Sequence, residues 1–369
     1  MKNVIKKRHN KINIAEPLVT EDAIISVAST LRTRWIGQAD KVDQFEKDIE
    51  KKFKLKSGSV STVNSGTSAL ELAYDLLGLK ENSEVITTPF TCTATNIPLL
   101  RRGVKIIFAD IRRDTMNIDP IDVERKITKD TKAIINVHIG GIESKIPYFG
   151  VPVVNDAAHA FGFFSGDYTA CSFQAIKHIT TGDGGVLYCD SLIDSNKTKL
   201  LRWFGIDRKK KKENAWKAYK NREMLYDVEY LGYKYHMNDI AASLGIEHLK
   251  KYDEIIEYRK KIFDIYKNYG VPLLDGARNL YWLATLLIDN RECFAEFMHS
   301  KNIETNMMHV RNDEYKIFKK FKVPLQNMDW MEDKYICIPI HNKMSLDDAE
   351  YIGESVREYF KIYGNSLNT

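Results

Sequence analysis

Apolar residues recur at helical spacing over residues 18–31 and 40–54, which predicts two amphipathic helices. The pattern changes after Gly58. The run STVN (61–64) is strand-like, Ser65-Gly66-Thr67 reads as a turn, and Ser68 to Leu79 reads as a helix with Leu70, Leu72, Leu76 and Leu77 as its apolar face. EVITT (84–88) is strand-like and Pro89 breaks it. Thr95 to Arg102 is helical, VKIIFAD (104–110) is an almost wholly apolar strand, and a helix over 119–127 leads to the strands KAIINVH (132–138) and PVVND (152–156). Strand and helix thus alternate at βαβ spacing. Continuously apolar strands predict an α/β fold with a mostly parallel sheet covered on both faces. Ligands of such sheets lie beyond the carboxyl ends of the strands. Asn64, Asp110, His138 and Asp156 fall at or near those ends, where Asp110 reads equally well as a turn residue.

From Tyr168 to Tyr188 the pattern turns to short strands around a glycine-rich turn. The basic run 208–223 reads as a loop or an exposed helix. Ile240 to Tyr269 reads as one long helical segment, 279–289 and 334–340 as strands, and 293–303 and 346–363 as helices. The expected division is a large domain over 1–240, including the N-terminal helices, and a smaller C-terminal α+β domain over 241–369.

Composition narrows the function classes. Lys and Arg total 55 against 50 acidic residues, and an excess of +5 on a chain of this length does not mark a nucleic-acid binder. Five dispersed cysteines without a CxxC pair argue against a disulfide framework and a zinc site, so no metal is expected. The stretch MKNVIKKRHNKINIAEP has no apolar core, which argues against a secretory signal. The apolar runs fall far short of the roughly 20 residues of a membrane span. A cytoplasmic setting without a membrane partner is the expectation.

Three segments carry candidate chemistry. The loop N-S-G-T-S after strand 61–64 opens a helix, where backbone N–H groups can cradle an anion, although the same residues also serve as plain helix caps. In VVNDAAHAFG (153–162), Asp156 ends a buried strand and needs a cation or donor, with His159 three residues on. In CSFQAIKHITTGDGG (171–185), Lys177 stands among apolar and small residues before a glycine turn. Alone it reads as a surface loop lysine; held away from water, its amine becomes a good nucleophile. An anion cradle, a buried acid and an amine together match what pyridoxal phosphate needs.

These segments make the chain similar to the DegT/DnrJ/StrS family of pyridoxal-phosphate-dependent sugar aminotransferases. The resemblance runs from Arg34-Trp35-Ile36-Gly37 to Leu346. It implies aminotransferase fold type I, with a mostly parallel seven-stranded sheet between helices and the smaller α+β domain. NSGTSAL (64–70) resembles the phosphate loop, assigning that contact to Ser65, Gly66 and Thr67. NDAAHAFG (155–162) places the pyridine-nitrogen acid on Asp156, with His159 near the ring or its O3′. SFQAIKHITTGDGG (172–185) places the Schiff base on Lys177 and a phosphate contact on Ser172. GYKYHMNDIAASLG (232–245) resembles the loop lent to the other subunit, which implies a homodimer with shared sites. His309 in NMMHVRN (306–312) resembles a histidine that contacts substrate.

Several positions depart from the family pattern. Cys92 falls where many relatives stack an aromatic on the cofactor. Lys234 stands where Asn commonly reaches the phosphate across the dimer, and His236 replaces a frequent Arg. The resemblance implies transfer of an amino group from L-glutamate to a nucleotide-linked keto-deoxy sugar. Arg202 and the basic segment 208–223 are candidates for a diphosphate contact at the rim. A small phosphorylated ketone as acceptor remains open, as does a dehydratase, although the intact Lys177 disfavours the latter.

Overall fold

The computed structural model describes residues 10–214 and 216–364. Residues 1–9 of the N-terminal stretch read above for a signal lie outside the described residues. Two helices lead in, α1 (Glu21–Arg32) and α2 (Asp40–Phe53). The Thr20 hydroxyl caps α1 by accepting the Ala23 amide at 3.3 Å. The alternating region follows as β1 (Val60–Val63), α3 (Gly66–Leu76), β2 (Glu84–Thr87), α4 (Thr93–Arg101), β3 (Lys105–Phe108), α5 (Pro120–Lys126), β4 (Thr131–Val137), β5 (Val153–Asp156), β6 (Tyr168–Ser172) and β7 (Gly185–Cys189). These strands form one seven-stranded sheet in the order β1-β7-β6-β5-β4-β2-β3. The pairs from β6 to β3 are parallel, and β7 runs antiparallel to both of its neighbours. Six strands therefore end on the same sheet edge, and β7 begins there.

The rest of the chain comprises α6 (Leu192–Leu201), α7 (Arg208–Glu213), the short pair β8 (Tyr219–Lys220) and β9 (Glu223–Met224), α8 (Asp239–Lys250), α9 (Tyr252–Asn268), β10 (Ala284–Leu287), α10 (Arg291–Ser300), α11 (Gln326–Met331), β11 (Tyr335–Ile338) and α12 (Leu346–Tyr363). Antiparallel β10 and β11 with α9, α10 and α12 make a smaller C-terminal α+β region around a second apolar core that includes Ile262, Phe263, Phe294 and Ile352. A capping box of Ser345 and Asp348 starts α12. No helix among the described residues is long and apolar enough to cross a membrane.

Two sequence expectations differ in detail, and the open reading of Asp110 resolves to the turn residue. The helical segment 240–269 is broken at Lys251, which ends α8 and begins α9. The break lets residues of both helices meet the large sheet's loops: His248 Nδ1 lies 2.8 Å from Thr180 O, and the Tyr252 hydroxyl donates to Phe161 O at 2.5 Å. The strand expected over 279–289 begins only at Ala284, because the preceding backbone pairs elsewhere. Leu280 N donates to Gly141 O at 2.9 Å, and Trp282 N and Leu283 N donate to Gly140 O at 3.1 and 3.0 Å. Asp110 acts as a turn and cap residue: its carboxylate accepts the amides of Ile111, Asn327 and Met328.

Candidate active site

The sheet topology gathers the candidate residues. Ser65 follows β1, Asp156 ends β5 and Ser172 ends β6, all at the same edge. The loop from Ser172 to Gly185 carries Lys177 across that edge before β7 starts. Close backbone approach explains two glycines here. A Cβ on Gly66 would lie 2.9 Å from Ser172 Cβ, and one on Gly185 would lie 2.6 Å from Ser65 C.

Lys177 sits over Trp282, its Nζ 3.9 Å from the ring centroid. Burial depresses its ammonium to about 8, against the opposing pull of the Asp156 charge. Asp156 is buried. One of its oxygens accepts the Ala158 amide at 3.0 Å and the other the Thr95 hydroxyl at 2.7 Å. Burial raises the carboxyl, while Thr95, Ala158 and the Lys177 charge act to lower it. His159 stacks on Trp282 at 3.7 Å between ring centroids, and the His309 ring lies 5.3 Å beyond, nearly parallel. Burial and the Lys177 charge push His159 well below its usual value and His309 to about 4, so both rings are neutral near pH 7. Lys177, Asp156, His159 and His309 thus form one cluster, with Cys92 near Lys177.

The start of α3 lies at the same sheet edge. The Ser65 hydroxyl accepts the Ser68 amide at 3.0 Å, leaving the amides of Gly66 and Thr67 at the open end of the helix. Ser172, whose hydroxyl accepts the Gln174 amide at 3.3 Å, lies against Gly66. The segment 234–236 runs beside this loop: Asn64 N donates to Tyr235 O at 2.7 Å, and His236 bridges Val63. Lys234 is exposed. The His236 ring is lowered to about 4 by burial and by the charges of Arg208, Arg202 and Lys234. Arg202 departs from the expected rim position. It is buried, pairs with Glu46 and donates to Thr62 O at 2.7 Å, so its guanidinium ties α2 to β1. The basic segment carries α7, with Arg208 and Lys211 set against Trp203 and Trp216.

Two residues of this site were not singled out from the sequence. Trp282 lay inside an apolar run read as strand, and only the pairing of 280–283 with Gly140 and Gly141 turns its ring under Lys177. Thr95 was placed merely at a helix start, with nothing in its neighbourhood pointing 61 residues on to Asp156.

An amine, a buried carboxylate and an open helix N-terminus in one cleft fit a phosphorylated aldehyde with a basic ring nitrogen, as pyridoxal phosphate is. Comparison with known proteins agrees. The DegT/DnrJ/EryC1/StrS aminotransferase family matches residues 17–357. The spore coat polysaccharide biosynthesis protein SpsC of Bacillus subtilis is 31% identical over 97% of this chain and 99% of its own length. A UDP-4-amino-4,6-dideoxy-N-acetyl-beta-L-altrosamine transaminase of Campylobacter jejuni is 31% identical over 92% of this chain and 94% of its own. The crystal structure of AtS13 from Actinomadura melliaura superposes with a TM-score of 0.87 at 29% identity, covering 95% of this chain and all of that one (100%). The chain belongs to the DegT/DnrJ/EryC1/StrS aminotransferase family.

Proposed function

We propose that this pyridoxal-phosphate-dependent aminotransferase carries an amino group from L-glutamate to the keto carbon of a nucleotide-linked keto-deoxy sugar, in two half-reactions. The observation that carries the reading is that Lys177, its ammonium depressed to about 8 by burial, and the buried Asp156 stand at one sheet edge and act on each other electrostatically. The acceptor class is supported by the activities for which relatives are named, such as the altrosamine transaminase and the GDP-perosamine synthase of Vibrio cholerae.

Bound pyridoxal phosphate supplies a carbonyl that captures amines and a ring that takes up the electron pair released at the substrate carbon. Lys177 would hold that carbonyl and, as a neutral amine, would carry the proton that leaves the donor carbon. Asp156 would hold a proton on the ring nitrogen. Ser65, Gly66, Thr67 and Ser172 hold the phosphate, with the N-terminus of α3 as the anion end. Cys92, a free and exposed thiol, would line the ring where the resemblance leads one to expect an aromatic. His159 lines the ring, and His309 and His236 offer neutral N–H groups to substrate rather than charges.

Two copies of the chain complete two sites, each receiving Lys234 from the other copy. The exposed apolar side chains Ile24, Ile25, Leu31, Trp35 and Ile36 on and after α1 provide a face for such a pairing. The five free cysteines suit a reducing, cytoplasmic setting. We divide the chain after residue 240, ahead of most of α8.

Purified protein with glutamate and a panel of nucleotide keto sugars and small keto phosphates tests the acceptor class. Formation of 2-oxoglutarate with the sugars is expected. Turnover of the small phosphates alone would replace the sugar by a small ketone.

A further inference from the structure

Asp156 is joined to a chain of buried hydroxyls and amides that reaches the C-terminal third of the molecule. Thr95, in the first turn of α4, points its hydroxyl at Asp156 at 2.7 Å, and Thr91 lies 2.7 Å from the same hydroxyl. Both threonines are buried, at 0% and 2% exposure, so water does not substitute for either contact. The directions of these bonds are fixed by chemistry. An ionised carboxylate only accepts, so the single Thr95 proton goes to Asp156, and Thr91 must donate to Thr95. The turn carrying Thr91 is in turn held by Asn312. Its Nδ2 donates to Thr91 O at 2.7 Å and its N to Pro89 O at 2.6 Å, while its Oδ1 accepts from Asn96 Nδ2 at 2.9 Å. Asn96 also closes on Thr88 O at 3.1 Å and accepts the Thr87 hydroxyl at 3.0 Å. Asn312 has no freedom to swing away. Arg311 before it and Asp313 after it form a buried bidentate pair, with both N–O distances at 2.7 Å.

A network satisfied at each link holds one geometry, because any rotation leaves a buried polar group unpaired. We propose that Thr95, Thr91 and Asn312 are positioning residues for the cofactor: Thr95 fixes and keeps charged the Asp156 carboxylate, Thr91 orients Thr95, and Asn312 pins the turn that presents Thr91. The proposal rests on the reading of Asp156 as the partner of the ring nitrogen. It adds that the C-terminal region, through Asn312, sets how that partner is aimed. The other titratable groups that interact electrostatically with Asp156 are Lys177 from the loop before β7, Tyr74 from α3 and Cys171 from β6.

The test uses the pyridoxal-phosphate-loaded protein and reads three quantities: the pH midpoint of the cofactor's visible absorbance, the cofactor dissociation constant, and kcat separately from KM. Thr95→Val removes the hydroxyl at nearly constant shape. It should shift the midpoint in the same direction as Asp156→Asn and weaken the cofactor by about 10- to 100-fold, the worth of one hydrogen bond to a charged group. The loss should appear in kcat rather than KM. Thr95→Ser should restore the midpoint. Thr91→Val and Asn312→Ala should shift it the same way by less. If Thr95→Val fails to fold, judged by its melting temperature, Thr91→Val and Thr95→Ser still decide the matter. A midpoint moved by Asp156→Asn but untouched by the threonine variants would overturn the relay and leave Asp156 standing. A midpoint unmoved by Asp156→Asn itself would overturn the reading of Asp156 and the relay with it.

Discussion

The two ends of the cleft differ in how far this chain completes them. At the Asp156 end the carboxylate has a donor on each oxygen, and the donors are held by further buried bonds back to Asn312. At the α3 end the amides of Gly66 and Thr67 face the opening, and Lys234 stands exposed beside the loop. The first end is set by folding. The second presents the open N-terminus of α3. The contrast teaches where precision is needed. A carboxylate that holds a proton on a ring must be aimed and dry, whereas a phosphate tolerates several donors and gains from any added charge.

The strongest way to break this picture is to remove the amine between the two ends. Lys177→Ala should abolish transamination and keep the melting temperature close to wild type, because the side chain it removes makes no ion pair among the described residues. Asp156→Asn should come next. It leaves a protonated ring facing a neutral amide in a buried site, a loss of about 3 to 5 kcal/mol. Steady-state rates should fall by roughly a hundredfold or more, and near-normal turnover would refute its role. Lys234→Ala, at the open end, should weaken cofactor binding by about 1.5 to 3 kcal/mol, the value of a charge-assisted contact. Mixed with Lys177→Ala subunits it should regain activity, since one of the two shared sites would then carry no lesion. No recovery after verified subunit exchange would return Lys234 to its own chain. The smallest effect is a pH dependence. Only the neutral Lys177 amine attacks a carbonyl, so capture of pyridoxal phosphate by the apoprotein should speed up as pH rises and level off above about 8. A rate that keeps climbing toward the ordinary lysine range would show that burial does not depress the amine.

The open start of α3, Asp156 and Lys177 stand out in the sequence because each sits in a local signal. A glycine flanked by hydroxyls at a helix start, an acid ending an apolar strand and a lysine before a glycine turn all show themselves within a few residues. The alternating region was equally readable, since strand and helix periods differ and each element repeats its own. What the sequence hid depends on distant pairing. The Asp156 relay joins positions 61 and more residues apart. The ring under Lys177 comes from a stretch whose backbone leaves β10 early to bond Gly140 and Gly141. Arg202 looked free because its partner, Glu46, lies 156 residues earlier, on α2. The break at Lys251 was invisible for a related reason: both halves keep helical periodicity, and only contacts to Thr180 and Phe161 require the turn.

One amine, that of Lys177, stands at the centre of the proposed site. Borohydride reduction of the pyridoxal-phosphate-loaded protein, followed by peptide mass mapping, fixes the cofactor to whichever lysine holds it. The label should fall on the peptide containing Lys177 and be absent from the Lys177→Ala variant. A label on a different lysine, retained in that variant, would contradict the account.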